Sequence, residues 1–396
     1  MKTQGISVLF DGTEFSEWTS AEVSRDMKDL SGKFNFTIRD DTRNVASLEF
    51  ATTDAAVDIE PGATAEIYVD GQLCLVGYVD SVEPDIDHEH AEVRISGRDK
   101  TGDLVDCAAM KDGPAEFNNV KLEDAVKRVV APYGLSVRSE VDTGEPFTRY
   151  SLDLSETAFS AVEKGTRSRR VLILSDGVGG VVITRTGSTR APDGLTLPGN
   201  VKSSKGKKSF EKRHSETIVR GQAEKTGKER KGDAPLDATA DPVSPGDRTA
   251  TDGSATETER KGTVATGRAI DPEITRYRPI VHLARSKADG QSAQDEADWR
   301  MRTARGESEE LTYSVNNHSA NGSLWRVNEI TTVCDAFQKV NRDMLISNVA
   351  FREDESGRET ELKVVSPEAF DTSKTGAQRS NATSKSKSLD STAEAL

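Results

Sequence analysis

The sequence predicts a β-rich α+β protein in which strand-rich ends flank a mixed α/β middle. Three observations carry that prediction. Short apolar runs cut by turn residues fill positions 1–106, the pattern of closely spaced strands. Apolar residues at helical spacing enter between positions 107 and 206. Strand-type runs then return after a long polar interruption and continue to about Phe370.

In the first region Phe34, Phe36 and Ile38 alternate with Asn35, Thr37 and Arg39, the period of a half-buried strand. The run Ala65–Asp70 meets Gly71, and a second apolar run follows from Leu73 to Val82. Asp70-Gly71 predicts a hairpin there, because a type I′ turn needs positive φ at both central residues. Val93 and Ile95 continue the alternation into Gly97. Strands this short predict a small barrel or sandwich over 1–106.

The middle region, 107–206, reads differently. Leu122, Ala125, Val126, Val129 and Val130 share one helical face, which Pro132 and Gly134 end. Ser155 is the expected cap of a second helix carrying Ala158, Phe159 and Val162. The apolar runs Val171–Leu174 and Val181–Ile183 enclose Asp176 to Gly180 and predict another hairpin. The third region, 207–370, contains a stretch from Gln222 to Gly262 without aromatics and with few large aliphatics. Such a stretch cannot offset its ordering entropy by burial and reads as a mobile loop. A helix is expected over 292–306, from Ser292 with Asp295 as its capping partner. Strands are expected at Leu311–Val315, Trp325–Val333, Met344–Phe351 and Thr360–Val365. The Ser, Thr and Lys rich tail, 371–396, is expected to be disordered or draped on a partner.

Composition narrows the function. A net charge of -14 opposes general nucleic-acid binding, which needs clustered Lys and Arg to displace counterions. An acidic wall can still let DNA pass without sticking. Cys74, Cys107 and Cys334 are scattered and odd in number, which fits reduced core thiols rather than a disulfide framework. The start has no signal-type apolar run, and no apolar stretch reaches membrane-spanning length, so a soluble chain is expected.

A search for chemistry yields bland readings. Asp85, Asp87, His88, Glu89 and His90 have metal-like composition but follow Pro84 where a hairpin should turn. Gly177, Gly179 and Gly180 lack the strand-loop-helix context and the Lys-Ser/Thr end of a phosphate loop. Arg167, Arg169 and Arg170 complement a helix dipole more simply than they hold phosphate. Trp18, Trp299 and Trp325 sit in periodic apolar patterns and read as core or subunit contacts rather than sugar platforms. No activated nucleophile, catalytic carboxylate pair or cofactor motif emerges, so no catalytic, cofactor or metal residue is assigned.

Several blocks recur in family order. They are Trp18-Thr19 with Val23-Ser24-Arg25 and Leu30 to Phe34; Gly97 to Cys107 (GRDKTGDLVDC); Glu156 to Phe159; Ser215 to Gln222; Arg276-Tyr277-Arg278-Pro279; the helix around Trp299; Gly322 to Asn328, with Trp325; and Ser366 to Phe370. Together they resemble the baseplate hub proteins of Mu-like contractile-tailed phages, in the late control D and T4 hub-like superfamily. The resemblance implies a non-enzymatic homotrimeric ring in the virion, assembled in the host cytoplasm and needing no cofactor. Each chain would supply two tube-like β-barrel domains enclosing the α/β domain. One face of the ring would meet the hexameric tail tube and the other the trimeric membrane-piercing spike. Other baseplate proteins and the tape measure protein are further implied partners, and DNA would pass without specific binding. Trp18, Gly97, Arg98, Asp103, Asp106, Arg276, Tyr277, Pro279, Trp299 and Trp325 would then be structural or assembly positions. Two other classes stay open from the residues alone. A carbohydrate-binding tail adhesin would bind sugar without forming a ring, and a peptidoglycan hydrolase would clear a zymogram.

Overall fold

The computed structural model describes residues 5–15, 18–40, 59–86, 91–111, 115–222, 264–284 and 290–371. The chain divides into two compact units, one of Met1–Lys212 with Arg302–Leu396 and one of Arg213–Met301. The expected loop beyond Gln222, the tail beyond Asp371 and the Asp87 to His90 cluster lie outside the described residues.

Among the described residues the larger unit opens with seven antiparallel strands. They are β1 (Ile6–Phe10), β2 (Thr13–Phe15), β3 (Ser20–Asp26), β4 (Lys33–Asp40), β5 (Thr64–Val69), β6 (Gln72–Ile86) and β7 (Ala91–Asp99). Their order is β3-β4-β7-β6-β5-β1-β2. Phe34, Phe36 and Ile38 of β4 point into the core while Lys33 and Asn35 face out, as the alternation predicts. Asp70 and Gly71 have φ of 48° and 70°, the positive pair a tight hairpin between β5 and β6 requires. Gly77 and Gly97 allow β6 and β7 to cross closely. A Cβ on Gly77 would lie 1.9 Å from the Arg98 carbonyl oxygen, and one on Gly97 2.1 Å from that of Tyr78.

The α/β region follows with α1 (Gly102–Asp106), β8 (Glu116–Val120), α2 (Leu122–Val130), β9 (Ser136–Ser139), β10 (Phe147–Ser151), α3 (Ala158–Arg169), β11 (Leu172–Ser175) and β12 (Gly180–Thr184). The predicted apolar face of α2 is buried in a core shared with Ala158, Ala161 and Val162 of α3. Gly134, at φ 68°, ends the short 3-10 turn that follows α2. The cap of α3 is Thr157 rather than the expected Ser155. Its hydroxyl accepts from the Ser160 amide at 3.2 Å, and a bridge between Thr157 and Ala108 holds the preceding backbone extended. The glycine-rich segment is the predicted hairpin turn between β11 and β12. The Asp176 carboxylate accepts from the Val178 and Gly180 amides, and Gly177 and Gly179 take positive φ.

Three short strands close this part of the unit: β13 (Thr189–Arg190), β14 (Leu195–Leu197) and β15 (Val201–Lys208). The smaller unit contains β16 (Glu216–Gln222), β17 (Val264–Ile270), β18 (Pro279–Leu283) and most of α4 (Gly290–Gly306). The helix starts before Ser292, which therefore lies inside its first turn and not at its cap. β16 is central, antiparallel to β17 and parallel to β18. Val219, Ala265 and Ala269 of this sheet pack on Ala293 and Ala297 of α4. Gly267 lies so close to α4 that a Cβ would sit 2.2 Å from the Ala293 carbonyl oxygen. Arg213, almost fully buried, forks onto both oxygens of Asp271 at 2.8 Å and reaches Glu273 at 2.9 Å. A buried charge pair persists only with such complete hydrogen bonding.

The larger unit resumes with β19 (Glu309–Asn316), β20 (Ser319–Ala320), β21 (Ser323–Leu324), β22 (Glu329–Asp335), β23 (Val340–Asp354) and β24 (Gly357–Val365). Trp325 to Asn328, expected as strand, forms a turn instead. Asn328 has φ 65°, and its side-chain amide bridges the Gly187 amide and the Arg185 carbonyl, which fixes the turn. β23 spans 15 residues, long enough to pair with β22, β24 and β3. Through β23 and β3 the two strand-rich regions join, among the described residues, into one 14-stranded sheet. They also share one core, in which Phe36 and Ile95 occur with Tyr313, Met344 and Leu362. Among the described residues the main path runs open from β15 to β2, without closing into a barrel. All three cysteines are free thiols, but only Cys74 is buried; Cys107 is exposed, contrary to the core expectation.

Candidate functional site

The block Gly97 to Cys107 forms the junction between the first strands and the α/β region. Its centre is Asp99, at the end of β7 and only 2% exposed. One carboxylate oxygen accepts from the Thr101 amide at 2.9 Å and the Thr101 hydroxyl at 2.6 Å. The other accepts from the Gly32 amide at 2.9 Å and the Ser175 hydroxyl at 2.7 Å. The Asp99 amide in turn donates to the Gly32 carbonyl at 3.0 Å. One side chain therefore ties the β3–β4 turn, the start of α1 and the end of β11. Ser175 extends the network by accepting from the Gly177 amide, whose carbonyl receives the Val76 amide of β6. A satisfied buried network of this kind fixes one geometry, because any slippage strands a polar group.

Arg98 points outward from the same strand end. It reaches Asp80 at 2.7 Å and Asp106 at 2.7 Å, bracing β6 against α1. The hydrogen bonds that Arg98 donates to Asp80 and then to Asp106 raise the guanidinium's already high pKa, and Arg98 holds the Asp106 carboxyl below the usual range. Asp103 lies in the first turn of α1, where a carboxylate complements the helix dipole.

The other singled-out positions divide by burial. Trp18 packs on the main core with its ring 6.3 Å from Phe36, and Trp325 is buried in the same core. Trp299 is half-buried on α4. Arg276 and Tyr277 are exposed in the loop before β18, and Pro279 opens that strand. The structure brings Gly97, Arg98, Asp103 and Asp106 together at one junction and places Trp18 and Trp325 in one core. Asp99 and Gly32, which lie in the family-like blocks but outside the expected assembly positions, complete the junction with Gly77 and Ser175. The available signal was Asp99 two residues before Thr101, since Asp commonly accepts from the backbone two residues on.

Two further carboxylate and imidazole groups are unusual. Burial pushes the Glu329 carboxyl up to about 7. Burial also holds His318 below its ordinary value, with Nδ1 3.1 Å from the Thr360 hydroxyl and the ring edge-on to Phe351. The arginines at the end of α3 are engaged. Arg167 pairs with Glu163, and Arg169 donates to the Glu145 carbonyl with its guanidinium 4.1 Å from the Phe147 ring centre. Among the described residues no group of three or more His, Cys, Asp or Glu is placed to hold a metal ion. The described helices include none long and apolar enough to cross a membrane.

The chain matches three family profiles in succession. Residues 5–99 match the N-terminal domain of Mu phage baseplate assembly protein GpP-like proteins, and 101–185 the second domain of gp44-like baseplate hub proteins. Residues 289–373 match the fourth domain of Mu phage baseplate assembly protein GpP. The baseplate hub protein gp44 of Escherichia phage Mu is 30% identical over 371 residues, covering 92% of this chain and 88% of that protein. The 43 kDa tail protein of prophage MuSo2 from Shewanella oneidensis superimposes with a TM-score of 0.75 at 28% identity, over 93% of this chain and 99% of that one. A tail protein from Neisseria meningitidis shares the fold with a TM-score of 0.69 at 19% identity, over 93% and 98% of the two chains. An E. coli type VI secretion component, described as similar to T4 tail proteins gp27 and gp5, shares it at 0.50, with 8% identity over 91% and 76%. The chain belongs to the gp44-like baseplate hub family of Mu-like phages and is a structural component of the phage tail.

Proposed function

We propose that three copies of this chain form the ring at the centre of a contractile tail baseplate, acting by packing and without catalysis. The observation that supports this best is the similarity to the Mu hub along nearly the whole of both chains. Within the chain, the two strand-rich regions would each present a tube-like module to the ring, giving pseudo-sixfold symmetry from three copies. The continuous ladder through β23 and β3 makes them mechanically one body, which suits a part that transmits force. One face of the ring meets the tail tube and the other seats the spike until contraction drives the assembly through the host envelope. Once the spike leaves, the ring is a conduit for DNA. Its inner wall is acidic or neutral, in keeping with a net charge of -14, so phosphate is repelled rather than held. The burial of Trp325 and the packing of Trp18 leave neither as a free platform for a sugar ring, which weakens the adhesin reading.

Light scattering with negative-stain images of the purified chain tests the ring. Three times the chain mass of 42.9 kDa, with threefold rings in the images, supports it. A stable monomer in the presence of the tube and spike proteins refutes it.

A further inference from the structure

The start of β1 is pinned by side chains from the far end of the chain. The Ile6 amide donates to the Glu353 carboxylate of β23 at 2.7 Å. The Gly5 amide donates to Asp70 at 3.1 Å, and the Asp70 amide donates back to the Gly5 carbonyl at 2.8 Å. The other oxygen of Asp70 accepts from the Ser319 hydroxyl of β20 at 2.6 Å. Glu353 is itself held by Arg358 of β24 at 3.1 Å. These contacts form a second seam between the two strand-rich regions, beside the end of the β23–β3 ladder where Glu353 opposes Ala21.

His318 faces this seam and is fully buried. Its proton can be placed. The Thr360 hydroxyl donates its single proton to the Asn317 carbonyl at 2.9 Å, so the oxygen it turns to His318 Nδ1 at 3.1 Å can only accept. The neutral ring therefore carries its proton on Nδ1 and presents a bare Nε2. That nitrogen is buried with no hydrogen-bond partner among the described residues. Glu353 Oε2, the atom that receives the Ile6 amide, lies 3.9 Å from it. The charged groups facing the ring are Asp70 from the β5–β6 turn, Glu353 from β23 and Arg358 from β24.

We propose that His318 is a proton-operated latch on β1: with Nε2 bare the seam holds the start of the strand, and a proton taken up there releases it. The new N–H has Glu353 Oε2 in reach, and a charge-assisted bond needs that oxygen about 1 Å closer. The ring is tied to Thr360 and stands edge-on to Phe351, so the carboxylate is the partner that moves, and it leaves the Ile6 amide. Burial opposes the charge on the ring, Asp70 and Glu353 pull the other way, and Arg358 reinforces burial. Above 6.5 the ring is neutral and the latch shut; acid below that value opens it. Every contact lies within one chain, so the latch does not depend on the ring of copies.

Hydrogen exchange read by mass spectrometry on the full chain tests it, comparing a peptide covering Ile6–Phe10 with one covering Leu73–Val82. In the wild type, protection of the β1 peptide is expected to fall by about tenfold per pH unit below 6.5 while the ring titrates, the slope of one proton. The β6 peptide should keep its protection once the intrinsic rate is corrected. In His318→Gln, whose side chain stays neutral, the slope at β1 is expected to vanish. Protection of β1 that stays level between about pH 7.5 and about pH 5 in the wild type overturns the proposal. So does the same slope in the folded variant. Where the variant melts early by circular dichroism, the ring itself decides. Replacing the other four histidines with glutamine isolates the imidazole nitrogen NMR signals of His318. A neutral ring protonated on Nδ1 that titrates in step with β1 exchange supports the latch. A proton on Nε2 at neutral pH, or a ring that titrates with no change at β1, overturns it.

Discussion

Replacing Asp99 with alanine removes the carboxylate on which the junction converges. Four donors then lose their acceptor: the amides of Gly32 and Thr101, and the hydroxyls of Thr101 and Ser175. The hydroxyls can rotate towards other oxygens, but the amides are fixed by the backbone. A stranded buried donor costs about 1–3 kcal/mol, so the two amides alone imply a loss of about 2–6 kcal/mol. Asp99→Asn keeps one accepting oxygen but turns an NH2 donor towards another fixed amide donor, so it should not restore the lost stability. The neighbouring Arg98→Ala provides the control. Arg98, Asp80 and Asp106 are all partly exposed, and such surface pairs contribute little net stability. Urea unfolding followed by tryptophan fluorescence reads all three variants, and hydrogen exchange at the Gly32 and Thr101 amides localises the effect. A loss for Asp99→Ala no larger than that for Arg98→Ala would refute the claim that this carboxylate holds the junction.

Other expectations follow from single contacts. Gly97→Ala should destabilise by at least about 1–3 kcal/mol in the same assay, because the new Cβ would meet the Tyr78 carbonyl at 2.1 Å and the Phe34 ring at 2.4 Å. The folded-state pKa of Glu329 is raised from 4.5 to about 7, so its contribution to stability is present below 4.5 and lost as pH rises through about 7. Glu329→Gln should therefore raise the urea midpoint at about pH 8 and change it little near pH 4. His318 has the opposite dependence. Its folded pKa lies below 6.5, so stability is full above 6.5 and falls as the pH drops further. His318→Gln should flatten that acid limb, and an unchanged limb would show that another group causes it.

Local patterns were legible wherever one residue type decides the backbone. The Asp70-Gly71 turn, the alternation of β4, the apolar face of α2 and the hairpin around Gly177 each follow from such a rule. What the sequence hid depends on partners far along the chain. The pairing of β23 with β3 joins Asn348 to Asp26 and Phe351 to Val23, and no local period reports that. The cap of α3 moved to Thr157 because a bridge to Ala108 sets the preceding backbone. Trp325 looked like a strand residue because apolar neighbours surround it, yet Asn328 turns the chain through a left-handed residue held by Gly187 and Arg185. At the junction, Arg98, Asp103 and Asp106 stood out within a family-like block. The central Asp99 did not, because its worth lies in Gly32 and Ser175, which only folding brings to it.

A reconstruction of the assembled tail tip would show where the chain sits. The account predicts three copies of this chain in a ring between the end of the tail tube and the base of the spike. Density for the chain on the outer fibres, or a tube joined to its spike by a different protein, would contradict it.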